Sequence, residues 1–219
     1  SMPIERIYDG KGLDAKLLTI VEPFCIGWHA VKRAKVKEGD KVLVVGSGTI
    51  GVLAALSAKQ KGAEVYLCDV DNKKLNYVKD NFGFDGIICN DNPYSIQDSI
   101  NRFTDGNGFD VTIEAVGLPQ TFQNCIDSVA FGGDVVVVGV GKKNLDFNFT
   151  LIQKKELNIY GSRNALKEDF LELIDVVKKD KRLFEKVITN VYKLDDAKEA
   201  FENFDNSDDI TLKVLIDFN

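Results

Sequence analysis

The chain has 219 residues, 44% hydrophobic and 28% charged, a balance typical of a soluble globular protein of one or two domains. Lys and Arg total 28 against 34 Asp and Glu, a net charge of −6, which argues against a nucleic-acid partner. No apolar run reaches the roughly 20 residues of a membrane-spanning helix, and no basic segment followed by an apolar one opens the chain, so neither a membrane span nor a secretory leader is expected.

Ser1-Met2 reads as a tag remnant ahead of an internal start. Asp14 to Ala34 carries apolar residues at helical spacing, with Pro23 interrupting the pattern. After the turn Lys37-Glu38-Gly39-Asp40, Lys41 to Val45 is a continuous apolar strand. Thr49 to Gln60 is a helix rich in Ala, Leu and Val that Gly62 ends. Val65 to Cys68 is a second strand, Lys73 to Asn81 an amphipathic helix and Gly86 to Cys89 a third strand. Ser95 to Phe103 is helical, and Asp105-Gly106-Asn107-Gly108 is a turn. There follow a strand at Val111 to Ala115, a helix at Pro119 to Val129, strands at Val135 to Val138 and Leu157 to Tyr160, and a helix at Lys167 to Lys179.

Strands that are apolar throughout, alternating with helices, predict an α/β fold with a parallel sheet covered on both faces. A doubly wound, six-stranded Rossmann sheet over residues 37–183 satisfies that pattern. The ends do not extend it. A strand at Val187 to Val191, a helix at Asp195 to Phe204 and a strand at Leu212 to Phe218 read as a separate piece. Residues 1–36 are then a linker and remnant of another domain, and 184–219 a return to it. The cysteines at positions 25, 68, 89 and 125 fit neither a zinc knuckle nor a disulfide framework. They read as reduced, buried thiols of a cytoplasmic protein.

Gly46-Ser47-Gly48-Thr49-Ile50-Gly51 follows the first strand directly and opens a helix. In such a turn the first glycine permits the tight bend, the second lets a pyrophosphate approach the backbone, and the third lets helix and strand pack closely. The free N–H groups of the helix start then hold phosphate oxygens. Asp69 ends the second strand about 20 residues further on, where a carboxylate can take both adenosine ribose hydroxyls. It would repel a 2′-phosphate, which favours NAD over NADP, and Lys73 and Lys74 nearby soften that preference. Val116-Gly117, Gly139-Val140-Gly141 and Gly161 stand at the ends of later strands, where open α/β sheets bind ligands. A methyltransferase using S-adenosylmethionine shares the sheet and the acidic residue, but the third glycine of the turn disfavours it.

Glu22-Pro23-Phe24-Cys25-Ile26-Gly27-Trp28-His29-Ala30-Val31, then Val36 through Gly51, resembles the zinc-dependent medium-chain alcohol dehydrogenases, in the branch of sorbitol and sugar-acid dehydrogenases. Phe131 to Val140, Gly161-Ser162-Arg163-Asn164 and the tail from Val187 to Ile216 strengthen the likeness, which covers nearly the whole chain. The resemblance implies that Gly46, Ser47, Gly48, Thr49, Ile50 and Gly51 bind pyrophosphate. It implies that Asp69 holds the adenine ribose with Val70 and Lys74 beside it, and that Val116 and Gly117 flank the cofactor. Val138, Gly139 and Val140 would present backbone groups to the nicotinamide carboxamide, and Ser162, Arg163 and Asn164 would lie near that end. Lys213 matches a basic position near the pyrophosphate, and Glu22 a catalytic zinc ligand or its close neighbour.

The family's catalytic domain, GroES-like in fold, lies mostly N-terminal to Glu22 and supplies a Cys and a His-Glu pair to zinc. This sequence has one histidine, His29, and no such pair. A catalytic zinc needs three protein ligands, so Glu22 alone cannot hold it. Cys25 and His29 share a helical face with Glu22 but match no family ligand, and His29 reads as packed and hydrogen-bonded. The expectation is therefore a cofactor-binding portion of an NAD- and zinc-dependent alcohol or polyol dehydrogenase that binds NAD without turnover, or a stand-alone NAD-binding module. By the same resemblance, the substrate is a small alcohol, polyol or sugar acid and the protein a homo-oligomer. Lys143 to Leu157 would lie near its interface. Phe24, Ile26 and Trp28 are expected to be left bare by the absent domain.

Overall fold

The structure, a computed structural model, describes residues 3–141, 143–206 and 210–218. Six strands form one sheet: β1 (Lys41–Val45), β2 (Glu64–Asp69), β3 (Gly86–Cys89), β4 (Phe109–Glu114), β5 (Val129–Val137) and β6 (Asn158–Gly161). All pairs are parallel, in the order β3-β2-β1-β4-β5-β6. The sheet is doubly wound as expected. Its direction of growth reverses between β1 and β4, which opens a crevice at their carboxyl ends.

The strands are apolar because both faces are covered. Val42 and Val44 of β1, with Val65 and Leu67 of β2, point into one core, while Leu43, Val45, Tyr66 and Cys68 point into the other. The first face is covered by α1 (Ala15–Arg33), α2 (Thr49–Gln60), α3 (Asn72–Phe82), α7 (Lys167–Lys179) and α8 (Lys181–Glu185). The second is covered by α4 (Ser95–Thr104) and α5 (Pro119–Ser128), with Leu151 and Ile152 of the short α6 (Thr150–Lys154) packed against its edge. The sequence pattern did not announce α6 or α8. Each is five residues long, too short for a helical period to register.

The tail adds a second, smaller sheet. β7 (Ile188–Lys193) and β8 (Lys213–Asp217) pair in parallel as a two-stranded sheet, with α9 (Ala197–Asn206) between them in the chain. Among the described residues, no helix is long and apolar enough to cross a membrane.

Two expectations about α1 are corrected. The helix runs unbroken through Pro23, which is buried, and the Asp14 carboxylate caps its start by accepting from the Leu17 N–H at 2.9 Å. One missing backbone donor is tolerated because α1 is held along its length by neighbouring helices. Phe24 and Trp28 are also not left bare. Phe24 is fully buried against Phe184 of α8 at 5.0 Å between ring centroids, and Trp28 is 4% exposed, its indole N–H donating to Glu172 of α7 at 2.7 Å. The apolar face of α1 finds its partners within this chain, while Ile26 is half-buried.

α1 and α2 meet backbone to backbone at Gly27. A Cβ there would lie 2.5 Å from the Ala54 nitrogen and 2.9 Å from the Leu53 carbonyl carbon. Gly27→Ala is therefore expected to lower the unfolding free energy by about 1–3 kcal/mol through overpacking, read from urea denaturation. Unchanged stability would mean that the two helices separate freely.

Candidate functional site

The site grows from the turn after β1. Gly46 adopts φ +109°, a conformation open to glycine, and a Cβ on it would meet the Val116 side chain at 2.6 Å. A Cβ on Gly51 would lie 1.9 Å from the Gly46 carbonyl oxygen, so the first turn of α2 rests directly on the strand end. Gly48 is different: it is exposed, and a Cβ there would meet nothing within 4 Å. It is also the N-cap of α2, with no side-chain hydrogen bond closing that helix end. The start of α2 thus carries the positive end of the helix dipole, and the space over Gly48 is clear.

Asp69 stands at the end of the neighbouring strand. Its Oδ2 accepts from the Ser47 backbone N–H at 2.6 Å and from the Ser47 hydroxyl at 2.7 Å. Its Oδ1 accepts from the N–H groups of Val70 at 2.7 Å and Asp71 at 3.1 Å. Burial pushes this carboxyl up, but the hydrogen bonds from Ser47, Asp71 and Val70 outweigh it and hold the group below the usual carboxylate value. A cavity of about 620 Å³ opens beside the pair, lined by Gly48, Thr49, Val70, Lys73 and Lys74, with Ile210 to Leu212 across from them. Thr49 donates its hydroxyl to the Leu212 carbonyl at 2.5 Å, which ties the tail to the turn. Lys213 follows and, with Thr49 and Ile50, borders a second cavity of about 350 Å³.

The same edge of the sheet carries the remaining expected residues. Gly117 (φ +90°) and Gly139 lie so close that a Cβ on Gly139 would sit 2.2 Å from the Gly117 nitrogen, and one on Gly117 2.7 Å from the Val140 oxygen. Val116 and Val140 are exposed and Val138 half-buried. Ser162 follows β6, its N–H donating to the Val137 carbonyl at 2.9 Å, and its buried hydroxyl has no protein partner. Arg163 and Asn164 next to it are exposed. The turns after β1, β2, β4, β5 and β6 therefore form one row along the crevice. Glu22 is exposed on α1, next to Pro23, which lines the second cavity with Thr49, Ile50 and Lys213.

Sequence reasoning missed Glu114. It is 1% exposed at the end of β4, and its Oε1 accepts from the N–H groups of Val116 at 2.9 Å and Gly117 at 2.8 Å and from the Thr121 hydroxyl at 2.6 Å. It shapes the turn that carries the exposed Val116. A lone acid closing the apolar run Val111-Thr112-Ile113 was the available signal.

Among the described residues, no group of three or more His, Cys, Asp or Glu side chains could hold a metal ion. Cys25 is fully buried, and burial first, then Asp169 and Glu22, push its thiol up to about 12. His29 lies with its Nδ1 3.2 Å from Asp169, packed and hydrogen-bonded as expected. All four cysteines are free thiols.

Comparison with known proteins agrees with this architecture. A protein-family model described as zinc-binding dehydrogenase matches residues 49–179. L-galactonate-5-dehydrogenase of Escherichia coli K12 is 31% identical over 202 residues, covering 92% of this chain and 59% of that protein. The crystal structure of 2R,3R-butanediol dehydrogenase from Bacillus subtilis aligns with a TM-score of 0.83 at 25% identity, over 100% of this chain and 60% of that one. A short chain alcohol dehydrogenase from E. coli CFT073, solved in complex with NADH, aligns with a TM-score of 0.82 at 25% identity, over 91% and 58%. The chain thus spans a little over half the length of the relatives it matches.

Because the folded-state pKa of Asp69 is depressed, its contribution to stability is complete above the ordinary carboxylate value and is lost as pH falls through the lower, folded value. Asp69→Asn is expected to be less stable than the parent at pH 7, with the gap closing in that acidic window. Urea unfolding at a series of pH values measures it, and a gap independent of pH would contradict the charge argument.

Proposed function

The chain belongs to the zinc-binding dehydrogenase family, and from that premise we propose that it is the cofactor-binding portion of an NAD-dependent alcohol or polyol dehydrogenase. The observation that carries the reading is the open surface at Gly48. It is bounded by the uncapped start of α2 and by Asp69, which is held as an anion one strand away. A pyrophosphate fits the first feature and a ribose diol the second. Gly46 to Gly51 hold the phosphates, and Asp69 takes the ribose, with Val70 and Lys74 beside the adenosine and Lys213 near the pyrophosphate. Val116 and Gly117 flank the cofactor. Val138, Gly139, Val140, Ser162, Arg163 and Asn164 receive the nicotinamide end, where the unpartnered Ser162 hydroxyl supports a polar ligand group.

When bound, NAD accepts or returns a hydride. The residues of this chain bind it and orient the ring along the row of small turns, which also leaves space for the substrate carbon. Relatives named for L-galactonate and 2R,3R-butanediol support a small hydroxylated molecule as the substrate class. The described residues do not fit a catalytic zinc, because no three of their His, Cys, Asp or Glu side chains form a group that could hold it. Its ligands belong to a catalytic domain of which residues 1–36 and 184–219 are the flanking parts. The chain by itself therefore binds NAD without turnover. Four free cysteines support a reducing, cytoplasmic location, and the exposed edge strand β6 supports assembly into a homo-oligomer. The family match leaves the methyltransferase reading without support.

Calorimetric titration of the chain with NAD is expected to show one saturable site, with NADP weaker. Gly48→Ala is expected to keep the parent's thermal stability, since its Cβ meets no protein atom, while weakening NAD about tenfold or more by filling the cradle. Absence of heat at saturating NAD would sink the reading. Oxidation of a secondary alcohol by this chain alone would overturn the claim that it lacks turnover.

A further inference from the structure

Ser47 differs from its neighbours in the glycine turn. Its side chain is 0% exposed, so it does not face the cavity, yet its hydroxyl is spent on one atom, Asp69 Oδ2. With the Ser47 N–H on the same oxygen, and the Val70 and Asp71 N–H groups on Oδ1, the carboxylate receives four donors. Donors on both oxygens oppose its rotation about the Cβ–Cγ bond, and a ribose diol would have to displace the Val70 and Asp71 N–H groups or share their oxygen. Three of the donors are backbone and are set by the turn itself. The Ser47 hydroxyl is the one supplied by a side chain that can be altered without altering the chain's course.

The setting gives this contact a consequence for ligand choice. Lys73 and Lys74, at the start of α3, border the cavity next to Gly48 and Val70 and bring two positive charges to it. A 2′-phosphate would be drawn to them, and the Asp69 anion opposes that attraction. The balance depends on where the carboxylate points and on its staying ionised. We propose that Ser47 is a specificity-determining positioning residue. Its buried hydroxyl holds Asp69 in the orientation that accepts a ribose diol and rejects a 2′-phosphate. The proposal rests on the cofactor reading above and adds to it a role for the Ser47 side chain, which acts through Asp69.

The experiment is a double-mutant cycle on the whole chain, with Ser47→Ala, Asp69→Ala and the double variant titrated calorimetrically with NAD and NADP. Ser47→Ala is expected to shrink the preference for NAD over NADP about tenfold, the worth of one hydrogen bond to a charged group. In the Asp69→Ala background the same change is expected to alter the preference less than twofold, because Ser47 acts only through that carboxylate. Thermal unfolding separates this from loss of fold. As a readout independent of any ligand, carbon-detected NMR titration of the Asp69 carboxyl is expected to show it protonating at higher pH in Ser47→Ala. An unchanged preference, additive effects of the two substitutions, or an Asp69 titration unmoved by Ser47→Ala would each overturn the proposal. Failure of the parent chain to bind NAD would instead sink the cofactor reading, and the carboxyl titration would still decide whether Ser47 holds Asp69.

Discussion

The contact between Gly51 and the carbonyl of Gly46 is the constraint on which the rest of the molecule turns. No side chain fits there, so the start of α2 is drawn down onto the end of β1. That brings the positive pole of the helix to the place where the sheet reverses its direction of growth. A methyl group on Gly51 would lift the helix, and the crevice would lose its floor. Gly27 does the same on the far side of α2, where α1 lies against the backbone of Ala54. Two glycines thus clamp one short helix between a strand and a second helix.

Charge organises the crevice in a repeated way. Asp69 and Glu114 both end central strands, and both spend their oxygens on backbone N–H groups of the turns that follow. A carboxylate taken out of water is costly unless it is hydrogen-bonded, and short charge-assisted bonds to amides offset that cost. Each acid also ties neighbouring turns together. Asp69 joins the turns after β1 and β2, and Glu114 joins the turn after β4 to the start of α5 through Thr121. The rigid row of turns is therefore an electrostatic product as much as a packing one.

A third buried acid holds α1 to α7. Asp169 is fully buried and accepts from the Leu166 N–H at 2.8 Å and from Lys32 at 2.9 Å, with His29 at 3.2 Å. Glu172 adds the Trp28 indole N–H at 2.7 Å. The single histidine is engaged here, in a helix contact, rather than in metal chemistry. This network is why the aromatic face of α1 stays covered within the chain.

How much of this was legible depends on the range of the interaction. The strands, the long helices and the glycine turn were readable because each is written in local pattern: unbroken β-branched runs, helical spacing, glycines between a strand and a helix. Asp69 was readable because it ends a short strand at a set distance from that turn. Glu114 was not, since its role lies in amide groups that the pattern does not display. Nor was the burial of Phe24 and Trp28, whose partners Phe184 and Glu172 lie far along the chain. By itself the sequence determined the fold class, the order of the elements and the turn that opens α2, because these follow from short-range backbone and hydrophobic rules. Only the tertiary structure decided which side chains meet. It placed Ser47 against Asp69 and turned His29 to Asp169. Those outcomes depend on the packing of segments that are remote in sequence.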